Sequence, residues 1–531
     1  MEKSFDTIIV GAGLAGIVTA LELLDKGQKV ILLDRAGREK FGGLATWSFG
    51  GIFLIDSKQQ RKAGIKDSEE LALRDWYSFA EFKEEDTIPK AWAKQYIQYS
   101  KQVIPSWLEN KKVKLFPVVH WVERGLFKPG NSVPRFHMIW GTGKGLIDAL
   151  ENALMNHPKV NNLTLLFNHT VENFELTNQN LDGVRGTNLD GDFFYKANHV
   201  VLASGGITGN IDLVKKHWPQ EFGTAPLHIL NGAHPEGDGL MHSKSSELGA
   251  DITNLDRMWH YAAGISHPRA LFKGHGLSLV PPKSALWLNC YGRRIGPTPL
   301  ITGFDTRFLV QEICKQDHKF SWQVLNYKIA LKELAISGAE FNPAVRDKKL
   351  FQFIKTILFG NKDLVEDMIR NSEDFVIANS IEELIEKMQE KNYGIDLDQA
   401  GLVKDIKDYD DQISRGQPYL TDDQLRRIHH SRLYKGDKVR TCKYQKILDP
   451  EAKPYIAIRE HILSRKSLGG IKTDLSGRVL NKENKPINGL YAVGEAAGFG
   501  GGGMHGHRSL EGTFLGGCIA TGIITAETIT R

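Results

Sequence analysis

Short apolar runs that end on glycine, separated by one-sided helical stripes, set the pattern at both ends of the chain. Residues 7–10 (Thr-Ile-Ile-Val) run into Gly11 and predict a buried parallel strand. Residues 14–24 predict a helix, with Gly27 just past its end, and 30–33 (Val-Ile-Leu-Leu) predict a second buried strand that ends at Asp34. Together these form a βαβ unit. Residues 200–203 (Val-Val-Leu-Ala) and 489–493 (Gly-Leu-Tyr-Ala-Val) predict two further strands, and a last helix is expected over about 512–526. From about 305 to 440 charged helical patterns replace the glycine clusters. There Ser380 and Glu383 have capping-box spacing, and Ile381, Leu384, Ile385 and Met388 share one helix face. This shift predicts a second domain inserted between two sequence halves of the first.

Composition narrows the function classes. A chain of 531 residues allows about three domains, or two with one large. Its 68 basic and 63 acidic residues leave a net charge of +5, without the basic stripe that nucleic-acid binding needs. No apolar run is long enough to predict a membrane span. The start carries Glu2 and Asp6 and enters a strand at once, unlike a secretory signal. Cys290, Cys314, Cys442 and Cys518 form no C-x-x-C pair, which argues against iron–sulfur, structural zinc, c-type haem and redox-dithiol chemistry. Such scattered thiols predict a reduced, cytoplasmic protein. Glycine is in excess, with 53 residues, and the excess is clustered into loops that can take a ligand close to the backbone.

Three glycine clusters carry the candidate chemistry. Gly11-Ala12-Gly13-Leu14-Ala15-Gly16 follows a strand, opens a helix and is followed by Asp34 at the end of the next strand. Glycines there permit a tight turn and close approach of a pyrophosphate. The helix N-terminus offers free N–H groups, and Asp34 can accept from ribose hydroxyls. A purely structural turn is the plain alternative. The second cluster, 41–51 (Phe-Gly-Gly-Leu-Ala-Thr-Trp-Ser-Phe-Gly-Gly), suits a flavin with a long ribityl-pyrophosphate arm better than a nicotinamide; a mobile loop is the alternative. The third, 498–510, holds four consecutive glycines and then His505, His507, Arg508, Ser509 and Leu510. Something flat is expected against that backbone, and the following helix can aim its N-terminus at a flavin carbonyl. A metal site at the two histidines is not expected, because no carboxylate or cysteine set completes a shell.

These clusters, with Leu202-Ala203-Ser204-Gly205-Gly206, Pro235-Glu236-Gly237-Asp238-Gly239 and Gly489-Leu490-Tyr491-Ala492-Val493-Gly494-Glu495, resemble the fumarate reductase/succinate dehydrogenase flavoprotein superfamily, which includes the 3-ketosteroid Δ1-dehydrogenases. The resemblance runs nearly end to end and implies FAD as cofactor. By it, Gly11, Ala12, Gly13, Leu14, Ala15 and Gly16 hold the pyrophosphate, Asp34 the adenosine ribose and Val171 the adenine, with Arg35 a further cofactor contact. Gly42, Gly43, Leu44, Thr46, Ser48, Gly50 and Gly51 line the ribityl chain and ring. Ala203, Ser204, Gly205 and Asp238 are further cofactor contacts; Gly494 and Glu495 hold the ribityl chain, and Ser509 and Leu510 the pyrimidine edge. Residues 44–49 contain no histidine, so FAD is expected to be non-covalent.

The resemblance implies Arg508 as the substrate-clamping arginine and a cap histidine matched by His260 or Tyr261; the expected catalytic set is Arg508 and Lys466 for a carbonyl or carboxylate, with Tyr261, His260 or His505 as proton carrier. Arg465 and Lys466 stand where the family often has a histidine. Residues 279–284 lack the arginine proton donor of fumarate reductases. The expected fold is α/β: a Rossmann-like FAD-binding domain from 1–258 and 445–531, with an inserted α+β capping domain over 259–444. The expected reaction is oxidation or reduction of a CH–CH or C=C bond beside a carbonyl, with hydride exchanged at flavin N5. A small-molecule substrate and a separate electron acceptor of unspecified class are its partners. A flavin oxidase or hydroxylase on C–N or C–H bonds, and a non-catalytic FAD-binding redox protein, are the rival readings.

Overall fold

The computed structural model describes residues 4–177 and 180–531. Its first sheet runs in the order Arg478–Leu480, Pro486–Ala492, Gly191–Leu202, Ser4–Val10, Val30–Leu33, Leu163–Leu166. All neighbours are parallel except Arg478–Leu480, which runs antiparallel at the edge. A hairpin of Thr170–Thr177 and Asn180–Asn188 continues antiparallel from the long strand Gly191–Leu202. All four residues of Val30–Leu33 are buried, as a strand covered on both faces requires. The helix Leu14–Asp25 lies on one face beside the last helix, Thr513–Ile529. Gly522 allows their contact, since a Cβ there would stand 2.9 Å from Val18 Cγ1.

The parallel strands end together. Gly11 N donates to Leu33 O at 2.7 Å, Ala203 N to Val10 O at 2.8 Å and Val493 N to Leu202 O at 2.9 Å. The glycine loops that follow these strands therefore open on one edge of the sheet, where doubly wound folds bind ligands.

The second sheet has a separate core that includes Trp287, Trp322 and Ile458. Its order is Leu286–Asn289, Phe320–Asn326, Tyr455–Ser467, Met258–Ser266, Gly276–Val280, Ala335–Ser337, with Ile229–Asn231 and Phe375–Ala378 also paired to Tyr455–Ser467. Helices such as Ile381–Glu390 cover it. Ser380 caps that helix by accepting from Glu383 N at 3.1 Å, whereas the Glu383 carboxylate reaches back to Asn379 N at 3.0 Å rather than to Ser380. The helical pattern expected over 305–440 is interrupted by the short strands Phe320–Asn326, Ala335–Ser337 and Phe375–Ala378. Phe375–Ala378 is a short continuous apolar run with no period of its own, whereas Phe-Ser-Trp-Gln-Val over 320–324 alternates as a strand does.

Gly16 is where the first helix meets the sheet edge: a Cβ there would stand 2.0 Å from Gly11 O. Backbone cannot yield as a side chain can, so Gly16→Val is expected to destabilise the fold by about 2 kcal/mol or more. A lowered urea midpoint with an unchanged slope is the signature; an unchanged midpoint would show that the helix can slide.

Candidate active site

A long cavity starts at the strand ends and runs under the second sheet. Of the residues assigned to cofactor, Gly11, Gly13, Leu14, Ala15, Asp34, Arg35, Gly42, Gly43, Leu44, Ser48, Gly50, Gly51, Val171, Ala203, Ser204, Gly205, Asp238 and Glu495 line it. The three glycines of the first cluster do different work. Gly11 has φ of +109°, and a Cβ there would stand 2.5 Å from Ala203 O; Gly16 is the helix contact already described. At Gly13 a Cβ would meet no protein atom within 4 Å, so the space beside it is open to a ligand.

Asp34 reaches back to this loop, its carboxylate accepting from Ala12 N at 2.7 Å and from Ala36 N at 2.9 Å. Burial pushes its pKa up against those two hydrogen bonds. Arg35 is held by Asp238 and Glu236 across the cavity wall. The second glycine cluster is tied to the first by Gly42 N donating to Ala12 O at 2.9 Å.

The remaining assigned residues stand behind the wall. Ala12 supplies backbone to Asp34 and Gly42. Thr46 turns its hydroxyl to Phe41 O at 3.0 Å. Gly494 donates its N–H to Thr521 Oγ1 at 2.9 Å. Ser509 bonds Thr513 Oγ1 at 3.0 Å, and Leu510 is buried. The four-glycine run does have a flat group against it, but that group is the indole of Trp92: a Cβ on Gly500 or Gly501 would stand 2.6 or 2.7 Å from it.

At the other end of the cavity three side chains converge. Tyr261 and Lys466 line it, as does Glu511, which the sequence reading did not single out. Tyr261 Oη donates to Glu511 Oε1 at 2.6 Å and accepts from Lys466 Nζ at 3.2 Å. Trp259 Nε1 donates to the same Glu511 oxygen at 2.7 Å. Trp259 and Tyr261 are two apart on strand Met258–Ser266, so both face Glu511, and the residue between them faces away. That residue, His260, stacks on Trp218 at 5.1 Å, and burial pushes its pKa down to about 3. Glu511 sits two residues before the last helix; an acidic residue between a glycine loop and a helix start was the signal available for it.

Burial shapes the electrostatics here. It pushes the Lys466 ammonium down to about 8, partly opposed by Glu511, and its Nζ lies 4.0 Å from the centre of the Phe514 ring. Burial, then Glu511, hold the Tyr261 phenol well above its ordinary range. Glu495, pushed by burial up to about 6, accepts from Ser467 N at 2.8 Å.

Arg508 and His505 lie outside this group. Arg508 is buried between two carboxylates, Glu81 and Asp305, with Nε 3.1 Å from Asp305 Oδ2. It thus joins the last glycine loop to Asp305, the N-cap of helix Thr306–Cys314. His505 stacks on Trp76, bonds Thr513 Oγ1 at 2.9 Å, and burial pushes its pKa down to about 3.

Sequence and fold both match known proteins. A family model described as "FAD binding domain" matches residues 6–515. The chain belongs to that FAD-binding family and is an FAD-dependent oxidoreductase. It is 43% identical over 538 residues to a KsdD-like steroid dehydrogenase of Mycobacterium tuberculosis (strain CDC 1551 / Oshkosh), covering 97% of this chain and 94% of that protein. A KsdD-like steroid dehydrogenase of Mycolicibacterium smegmatis is 39% identical over 530 residues, covering 96% of each. The fold matches 3-ketosteroid delta1-dehydrogenase from Sterolibacterium denitrificans with TM-score 0.72 at 16% identity, covering 99% of each chain. It also matches a flavocytochrome c3 fumarate reductase with TM-score 0.70 at 20% identity, covering 99% of this chain and 78% of that one. Among the described residues no helix is long and apolar enough to cross a membrane.

An extended dinucleotide fits the residues present. The open space at Gly13 and the first turn of helix Leu14–Asp25 could take the pyrophosphate, with Asp34 and Val171 toward the adenosine end. Glu495 and the start of helix Thr513–Ile529 lie toward the other end. Purified protein is expected to release FAD on acid precipitation. Gly13→Val should carry almost no flavin while unfolding at the urea midpoint of flavin-stripped wild type. Retained flavin would show that the open space is not the cofactor's.

Proposed function

We propose that the chain dehydrogenates a ketosteroid, or reduces the corresponding enone, at the carbon–carbon bond beside the ketone. The observation that carries this is the Tyr261–Glu511–Lys466 group on the cavity wall, in a chain so similar over its length to proteins named steroid dehydrogenases. Bound FAD supplies the hydride acceptor or donor. Tyr261 takes the proton from the adjacent carbon while its own phenolic proton moves along the 2.6 Å bond to Glu511; in the reductive direction the transfers reverse. Lys466 donates to the phenol oxygen and steadies negative charge as it develops there. Trp259 fixes Glu511. The second sheet and its helices cover the cavity and exclude water.

Further parts of the reading are proposals of the same kind. The cofactor-lining residues above hold FAD. Segments 1–258 and 445–531 form the FAD domain and 259–444 the cap, with Tyr455–Ser467 crossing from one to the other. Arg508 positions the cap through Asp305 rather than gripping substrate. Arg465 lines the same cavity, so a guanidinium remains beside Lys466 to polarise a carbonyl. Four free thiols support a reducing, cytoplasmic setting.

Anaerobic titration against ketosteroids, acyl compounds and dicarboxylates tests the reading: a ketosteroid should bleach the flavin. Bleaching by dicarboxylates alone would overturn it. Tyr261→Phe should lower kcat/KM by about 10²–10⁴-fold with FAD content unchanged. The Lys466 ammonium is present below its pKa of about 8 and lost above it. Rate should therefore fall as pH rises through that value, and Lys466→Met should lack this limb. A profile shared by both proteins would remove Lys466 from the mechanism.

A further inference from the structure

Helix Leu350–Phe359, in the inserted segment, turns its apolar side chains outward. None of its residues is buried. Leu350, Phe351, Ile354 and Leu358 are all exposed, Phe351 at 90%, and Phe359 at the helix end is also exposed. At helical spacing the first four occupy one arc of about 100°. The inward side is carried by Phe353 and Ile357, with Phe353 meeting Phe116 at 5.0 Å and Trp140 at 6.0 Å. A contiguous apolar patch left facing water marks a docking surface.

The charges around the patch say what it docks on. Lys348, Lys349, Lys355 and Lys362 are exposed along the helix and at its ends. Lys349 and Lys362 make long, exposed pairs with Asp347 at 3.7 Å and Glu366 at 3.5 Å. Lys348 and Lys355 have no carboxylate partner among the described residues. An apolar stripe flanked by lysines complements an anionic lipid surface, where acyl chains take the apolar groups and headgroups the ammonium groups.

A second cavity lies behind the helix, lined by Phe353, Ile357, Phe116, Leu334 and Phe341. Phe49 lines both this cavity and the FAD cavity, so the two share a wall.

We propose that helix Leu350–Phe359 rests on an anionic lipid surface, and that the cavity behind it passes lipid-dissolved substrate toward Phe49. The second clause rests on the ketosteroid reading; the docking clause does not. The test uses the full-length holoprotein sedimented with vesicles of phosphatidylcholine alone, or of phosphatidylcholine with phosphatidylglycerol. Binding to the anionic vesicles is expected to exceed binding to the neutral ones and to weaken with salt. Phe351→Ser with Leu358→Ser should weaken it by about 10-fold or more. Lys348→Gln with Lys355→Gln should remove most of the salt dependence. Flavin absorbance and melting temperature, which exposed positions should barely move, establish that the variants are folded.

Wild-type protein that stays in the supernatant, or a serine variant that binds as well as wild type, would overturn the proposal. So would a dimer that the serine variant dissociates, in the absence of vesicle binding, since a second copy would then cover the face. For the access clause, the serine variant should lose turnover of steroid presented in vesicles but not in detergent-free solution; equal loss in both, or in neither, overturns it. Vesicle binding with no steroid turnover in either form would count against the ketosteroid reading and leave docking standing.

Discussion

The pairing of strand Tyr455–Ser467 with strand Met258–Ser266 is what the site depends on. Trp259 stands opposite Lys466 and Tyr261 opposite Leu463, with the register slipping between them. An undisturbed antiparallel ladder would keep strict alternation across both strands. Trp259 and Lys466, being directly opposite, share a face, and Tyr261 two residues on shares it too, which brings the Lys466 amine within 3.2 Å of Tyr261 Oη. The same long strand holds the second sheet together, pairing with Phe320–Asn326 along seven positions. Its far end meets the cavity wall, where Ser467 N donates to Glu495 and Ser467 Oγ accepts from Ile207 N at 2.9 Å. One strand thus runs from the core of the second sheet to the cavity, where it places a buried amine.

Burial gives these groups their chemical character. Lys466, Glu495 and Tyr261 all shift toward their neutral forms, and in each case loss of solvent is the leading cause. A buried charged group without partners costs several kcal/mol, on the order of 3–5 when one partner of a buried pair is removed. The cluster of Tyr261, Glu511, Trp259 and Lys466 meets that cost by mutual hydrogen bonding, which also fixes each side chain in place. The same principle pairs the buried Arg508 guanidinium with carboxylates on either side, Glu81 and Asp305.

Much of the cofactor half was legible because its signals are local. The first strand, helix and second strand appear over Ser4–Val10, Leu14–Asp25 and Val30–Leu33, close to where apolar runs and glycines put them. The glycines of 11–16 mark a strand-to-helix turn, and the steric need at each follows from backbone geometry that no other residue meets. The four-glycine run was equally visible, and a flat neighbour was a sound expectation. Which flat neighbour was a long-range matter, settled by Trp92 from a helix some four hundred residues earlier.

The catalytic end lay beyond local reading. His260 and Tyr261 are adjacent in sequence, and only the burial of strand Met258–Ser266 decides which of them faces the cavity. Glu511 became visible as a partner only when the last helix brought it to Trp259 and Tyr261 from some 250 residues away. Sequence by itself determined the turn chemistry, the strand ends and the class of cofactor, because glycine content and apolar periodicity act over a few residues. The tertiary structure decided which polar side chains are desolvated together, because loss of water depends on what packs above a residue and not on its neighbours in the chain.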